Sequence, residues 1–334
     1  MIKGILKISW NILFWLFIFF CSIYYDTTIY LAQQSYGQLY LLTHTQSFGE
    51  YEAKISEKQK QNLRLIEKIK KYSVDSLNYT PTENFTRVYD QKDAPLMWVI
   101  TASSPYKVEP YYWKFPVVGN VSYKGFFDRQ KAIALKNKLI CEGYDVDLRS
   151  VSAWSTLGWF SDPVLSSMLN KSKGNLCELI FHELFHATYY AESSVEFNEN
   201  LATFIAFKAT IRFLQKDTTE LWSFLNESDD DWIIYKHMAK ESDKLNRFYD
   251  SISGFPEDQK PILKLQEITR IATSFDQLEV NDKERLRGVQ KHILEFKNAW
   301  FVSFDQYGSM QDSLEEVFNK FYQGDLAKMV QSLK

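Results

Sequence analysis

Cysteine is scarce in this chain. Cys21, Cys141 and Cys177 are the only three among 334 residues, so no disulfide framework holds the fold and no paired-cysteine spacing marks a zinc knuckle. Basic tracts are missing as well. The formal net charge is -3 and the pI near 6.0, and no arginine-rich arm occurs, which argues against a nucleic-acid surface and leaves nucleic acid off the list of partners. No internal repeat or low-complexity segment appears, so a solenoid is excluded. Histidine is rare too, with five in the whole chain. Apolar residues are what the chain has in quantity: 45% are hydrophobic and 16% aromatic, enough for a sizeable core.

The amino terminus stands apart. Residues 8–25 carry no charge and are almost wholly apolar, Lys3 and Lys7 precede them, and neither lysine nor arginine recurs until Lys54. A run of that length just suffices to cross a bilayer, and the charge asymmetry puts the amino terminus in the cytoplasm and the bulk outside. The bulky aromatics at its end offer no small-residue cleavage site, so the segment reads as a retained single-span anchor rather than a cleaved signal. Phe20 before Cys21 disfavours a lipoprotein start. The expected location is a membrane, single-pass, with the bulk of the chain outside the cytoplasm.

Beyond the anchor the chain divides into a stalk with a long helix at 31–90 and a main domain at 91–334. Residues 48–77 read as one charged helix with Ile55, Leu63, Ile66 and Ile69 as an apolar stripe. Residues 97–104 suggest a strand, 127–143 a helix burying Ala132, Leu135, Leu139 and Ile140, and 144–148 a second strand. From Asn175 onward the pattern is helical: the first helix carries the motif below, the next runs over 195–214, and others cover 219–224, 229–249, 261–275, 282–304 and 310–333. The fold class is α+β, mostly helical, with Cys177 expected as a small buried residue.

The chemistry centres on His182-Glu183-Leu184-Phe185-His186. On a helix, residues four apart stand one above the other, so His182 and His186 suit two positions on one metal ion, with Glu183 beside them to act on a water. The surrounding Leu176, Leu179, Ile180, Phe181, Leu184 and Phe185 make the helix apolar, where two unpaired imidazoles would be costly. Glu199 on the following helix is the expected third ligand. It shares a face with Ala202, Thr203 and Ala206, which are small enough for close approach. Glu192 falls at the turn and Glu196 points elsewhere, while His237 is a fallback and His44 and His292 read as packing or surface residues. Three protein ligands with an open fourth position describe a single catalytic zinc ion.

The motifs extend well past the pentapeptide. They include Gly37-Gln38-Leu39, Phe115-Pro116-Val117-Val118-Gly119, Tyr123-Lys124-Gly125-Phe126-Phe127-Asp128, Gly143-Tyr144-Asp145-Val146, Ser155-Thr156-Leu157-Gly158-Trp159-Phe160, Asp162-Pro163-Val164-Leu165, Tyr190, Phe197-Asn198-Glu199, Asn298-Ala299 and Tyr307. With these the chain resembles the bacterial predicted-aminopeptidase family of membrane-associated or lipoprotein proteins. The resemblance implies a zincin-like, gluzincin-like core, one Zn2+ per chain with a glutamate as third ligand, and a peptide substrate. Lys124 stands where the family usually has arginine. Related glutamate zincins often have an acidic residue four after the third ligand; here Thr203 occupies that place, leaving Asn198 or a backbone carbonyl to orient a histidine.

The resulting expectation is zinc-dependent peptide-bond hydrolysis by a metallopeptidase, an aminopeptidase, in which the metal activates water and Glu183 is the general base. Tyr190 and Tyr307 are the candidate oxyanion donors. Segments 119–125 and 155–162 are candidate substrate-facing loops, and Asp128, Asp162 and Glu196 are candidates for holding a substrate amine. The alternatives are a non-catalytic zinc-binding or envelope-interaction protein and a hydrolase of a non-peptide amide. Oligomeric state is left open.

Overall fold

The computed structural model describes residues 24–115, 119–151, 161–192, 194–304 and 310–334. The run at 8–23, residues 116–118, residues 155–160 and Tyr307 lie outside the described residues. Among the described residues no helix is long and apolar enough to cross a membrane.

Helix α1 (Tyr25–Thr43) leads into strand β1 (Thr45–Ser47), the short α2 (Phe48–Glu52) and α3 (Glu57–Leu77). The single helix expected over 48–77 is therefore two. Ser56 starts a fresh one: its hydroxyl accepts from the Gln59 N–H while the Gln59 side chain takes the Ser56 N–H, a reciprocal pair that satisfies two donors otherwise left over at a helix start. Strand β2 (Arg87–Tyr89) follows, then β3 (Trp98–Ser103), the hairpin β4 (Trp113–Phe115) and β5 (Gly119–Val121), and β6 (Tyr123–Phe126). Asp128 caps α4 (Arg129–Cys141) by accepting from Gln130 and Lys131. Strand β7 (Asp145–Ser150) and the two-residue β8 (Val164–Leu165) complete the strands, and a 3-10 turn at Ser166–Asn170 leads into the helical half.

Two three-stranded sheets result. β2 pairs antiparallel with β1 and parallel with β8, while β3 lies between β6 and β7 with both pairings antiparallel. α4 covers the second sheet through Ala132 and Leu139. Ile140, expected on that inner side, is exposed, because one step along a helix turns the side chain by about 100° away from Leu139.

The helical half comprises α5 (Lys173–His186), α6 (Val195–Leu214), α7 (Thr218–Ser251), α8 (Lys260–Ser274), α9 (Lys283–Phe296), α10 (Asn298–Phe304), α11 (Gln311–Tyr322) and α12 (Leu326–Ser332). The helix at 195–214 has the expected bounds. The pair expected at 219–224 and 229–249 is instead one helix of 34 residues. The aspartates between them do not break it, since buried Asp230 accepts from the Asn281 and Asp282 N–H groups at 2.8 and 2.9 Å and so holds the start of α9. The helices expected over 282–304 and 310–333 each divide in two, at Lys297 (φ 49°) and at Gln323 and Gly324 (φ 55° and 77°).

The main core joins α3, α5, α6, α11 and α12 with β2 and β8; a second cluster packs α7 to α10, and a third underlies the β6-β3-β7 sheet. A polar knot ties the second cluster to that sheet. Asp145 accepts from the Lys264 ammonium at 2.5 Å and from the Asn298 N–H at 3.1 Å. The Asn298 amide donates to the Ser104 carbonyl at 2.8 Å and accepts from the Tyr249 hydroxyl at 2.7 Å, all with Asn298 fully buried. Replacing Asn298 with alanine strands these partners without water, and the expected loss is about 2–3 kcal/mol of stability, read as a lowered urea midpoint; an unchanged midpoint would contradict the role given to the knot.

Candidate metal centre

Helix α5 begins where the Ser172 hydroxyl accepts from the Asn175 N–H. A Cβ on Gly174 would stand 2.7 Å from the Phe224 Cβ, so α5 meets α7 there at a distance only glycine allows. Its apolar positions, Leu176, Ile180, Phe181, Leu184 and Phe185, are buried in the main core. That leaves His182 and His186 together on the remaining face in the last two turns, where the partial negative charge of the helix end favours a cation. The chain then turns and returns as α6. Asn198 holds the turn, receiving the Ala191 N–H and donating to the Ala191 carbonyl, both at 2.7 Å. Ala202, Ala206 and Ala209 on α6 are fully buried, and α6 packs more extensively on α5 than on any other element.

Glu199 is thereby brought between the two imidazoles. His182 Nε2 lies 3.1 Å from His186 Nε2 and 3.3 Å from Glu199 Oε2, and His186 Nε2 lies 3.4 Å from Glu199 Oε1. Among the described residues these three form a group that could hold a metal ion. The spacing fits: a tetrahedral ion with bonds of about 2.0–2.1 Å separates its donor atoms by about 3.3 Å.

The electrostatics agree with that fit. Burial, aided by the neighbouring His182, pushes the His186 imidazole down to about 4, so it is neutral and free to coordinate. For His182 burial acts downward, but the hydrogen bond it donates to Glu199 and the charges of Glu183, Glu199 and Glu178 outweigh it and raise its proton affinity. Glu199 is held below the ordinary glutamate range: burial opposes this, and the hydrogen bond and charge of His182 override it. Without a metal these shifts favour a proton on His182 facing the Glu199 carboxylate, which marks a place that favours positive charge.

Glu183 sits next to His182, and its carboxylate is within electrostatic reach of that imidazole. Tyr190 lies beside His186, with ring centroids 6.3 Å apart. Tyr307 falls outside the described residues, but the chain after it is anchored close by: the Met310 N–H donates to Asn200 Oδ1 at 3.1 Å, next to Glu199. The Asn198 amide is engaged with Ala191 rather than with a histidine, and His186 Nδ1 is buried with no hydrogen-bond partner among the described residues. The expected orienting role of Asn198 is therefore replaced by a loop-holding one.

The other candidates lie elsewhere. His237 bonds Ser274 at 2.7 Å and packs on Phe275 in the second cluster, His292 packs on Trp300, and His44 stacks on Tyr40. Glu192 and Glu196 are exposed at the turn. Asp128 is occupied as a helix cap, and Asp162 is buried with its backbone tied to Asn84 and Phe85. Cys177 is buried, with its thiol pushed up to about 12 by burial, so it offers no thiolate.

Two residues had no individual role in the sequence reading: Tyr123 stood only within a motif and the candidate substrate-facing segment 119–125, and Glu178 was not singled out. Tyr123, on the edge strand β6, is 46% exposed overall, yet its phenol has its pKa raised by burial and by the proximity of Glu199 and Tyr190. No local pattern at residue 123 announces this, because only the fold carries a strand to a helix pair about sixty residues later. Glu178 precedes His182 by one more step of four. Burial raises its carboxyl to about 7, with His182 acting in the opposite sense, and Asp231 and Glu227 of α7 add to the rise. The stripe Glu178, His182, His186 on an otherwise apolar helix was the signal available for it.

The family model described as a putative aminopeptidase matches residues 29–334. Among the curated proteins and among the solved structures, nothing matches.

The depressed His186 value sets a pH dependence for the metal-free protein. An unfolded histidine titrates at about 6.5, so between there and about 4 the unfolded chain binds a proton that the folded site refuses. Stability from this source is lost as pH falls through that window. His182 acts in the opposite sense: its contribution is present below about 6.5 and is lost as pH rises through its raised folded value. Urea unfolding across pH is expected to show the acid limb in the native chain and a weaker one in His186→Gln; identical limbs would remove His186 as its source.

Proposed function

This chain belongs to the putative aminopeptidase family, and from that premise we propose that it is a zincin-like, zinc-dependent peptidase that removes amino-terminal residues from peptides. The observation that carries the proposal is the mutual spacing of His182, His186 and Glu199, 3.1 to 3.4 Å between donor atoms. These three residues would hold the ion. When bound, zinc would supply Lewis-acid polarisation of the scissile carbonyl and lower the pKa of a water toward neutrality.

The chain's own groups supply the proton transfers and the positioning. Glu183 accepts a proton from the attacking water and delivers it to the nitrogen of the departing amine. Tyr190 lies beside His186, and Tyr123, within electrostatic reach of both Glu199 and Tyr190 and with a pKa raised by burial, donates a hydrogen bond to the developing oxyanion.

Strand β6 offers a backbone edge. Tyr123 pairs with Thr101 and Gly125 with Val99, and the Gly125 carbonyl points away from β3 to accept from Gln34 at 3.0 Å. Tyr123, two residues away, exposes the same edge. A substrate strand can pair there, but Gln34 closes the edge at Gly125, which suits a substrate that extends only briefly on that side. The apolar run at 8–23 is, on the same reading, a retained single-span anchor that leaves the peptidase outside the cytoplasm.

Cleavage of a mixed peptide library, with bound metal quantified in the same preparation, tests the whole reading. Zinc near one per chain and removal of single amino-terminal residues are expected. Internal cuts would make the protein an endopeptidase, metal without any cleavage would favour another amide, and a folded chain that takes up no zinc would overturn the proposal. Glu183→Gln is expected to keep the metal and lose turnover by ~100-fold or more, whereas Glu199→Ala is expected to lose tight metal binding. Tyr123→Phe should retain metal and lower kcat by ~100-fold, with KM nearly unchanged; wild-type kcat in that variant would remove the phenol from the mechanism.

A further inference from the structure

Helix α1 has two apolar faces, and the protein uses one. The inner face buries Gly37, Gln38 and Leu41, sets the Tyr30 ring 5.7 Å from Phe115 and Phe126, and bonds Gly125 through Gln34. A Cβ on Gly37 would run into the Phe127 ring, so this contact is close. The opposite face carries Tyr25, Ile29, Tyr36, Leu39 and Tyr40. All five are exposed, Tyr36 at 71%, Tyr25 at 65% and Leu39 at 61%. At 3.6 residues per turn they fall within an arc of about 100° centred opposite the buried side. The one charged residue of α1, Asp26, lies at the margin of that arc. A helix apolar on both faces is ordinarily covered on both, and a continuous exposed patch of this kind marks a contact surface.

We propose that the outer face of α1 lies flat on a lipid bilayer at the level of the headgroups. The occupant follows from what precedes the helix. The uncharged run of residues 8–23 leads through Tyr24 directly into Tyr25, so a chain leaving hydrocarbon there begins α1 at the interface. Tyrosine suits that depth, with its ring in the apolar boundary and its hydroxyl toward water. α1 has no lysine or arginine, so apolar burial rather than attraction to anionic lipid drives the contact. The inference rests on the anchor reading and is independent of the peptidase reading. Its consequence is positional: β6, with Tyr123 at its end, is clamped to the other side of the same helix, so the candidate metal centre has a fixed orientation toward the membrane.

The test uses the full chain in vesicles of phosphatidylethanolamine and phosphatidylglycerol. Cys21→Ser and Cys141→Ser remove competing thiols, and a nitroxide is attached at Tyr36→Cys, at Tyr40→Cys or, as the aqueous control, at Lys68→Cys on α3. The labels at 36 and 40 are expected to collide with oxygen, relative to a water-soluble nickel chelate, several-fold more often than the label at 68. Equal ratios at the three positions would overturn the proposal. Dipolar broadening between labels at 36 would also overturn it by showing a second copy on this face. A chain that fails to float with the vesicles would remove the anchor reading and this inference together while leaving the peptidase reading intact. Lipid-like labels in a preparation that cleaves no peptide would do the reverse.

Discussion

The close approach of α5 to α6 is the constraint on which the rest of the structure depends. Three ionisable side chains sit within 3.4 Å of one another because fully buried alanines at 202, 206 and 209 let the two helix backbones come together. Asn198 fixes the turn between them by taking both polar groups of Ala191. Phe181 and Phe185 lock the back of α5 into the main core beside Tyr79 and Tyr72. A larger residue at Ala202, one turn from Glu199, would press directly on this approach.

That arrangement is costly unless something positive enters it. Two imidazoles and a carboxylate in a mostly apolar setting lose hydration, and the negative charges of Glu227 and Asp231 on α7 act on the neighbouring Glu178 strongly enough to help raise its carboxyl to about 7. The end of α5 contributes carbonyl dipoles of the same sign. The opposite wall comes from a different part of the fold, where the β6-β3-β7 sheet carries Tyr123 toward Glu199. The helix pair and the strand that brings Tyr123 within electrostatic reach of Glu199 come from separate parts of the chain, and neither makes the site alone.

The helix pair was legible in the sequence because its signals are local. A four-residue spacing of histidines, a glutamate near the start of the next amphipathic stretch and small residues beyond it need no knowledge of the fold. Tyr123 was legible only as part of a candidate substrate-facing segment, since its approach to Glu199 depends on strand register and on how the sheet meets α6. The helix boundaries failed where the backbone does something residue type does not announce. Lys297 and Gln323 adopt positive φ although neither is glycine, while Asp229, Asp230 and Asp231 look like a break but lie within a continuous helix whose Asp230 caps another element. Asn198 and Asn298 were both noticed as motif residues, and both prove to hold backbone in place.

Helix α12 gives the site a schedule. Leu326, Met329 and Val330 are buried in the same cluster as Phe181 and Phe185, and the Asn78 amide binds the Ala327 carbonyl at 3.2 Å, so residues from both ends of the described chain close one core. Chains fold as they emerge from synthesis or translocation, earlier segments first, yet here the helices bearing His182 and Glu199 await a segment made more than a hundred residues later. A nascent chain stopped short of residue 326 would have both histidines and the glutamate but a core still open beside Phe181 and Phe185. The core that backs the cluster is therefore closed only once residues 326–330 have arrived.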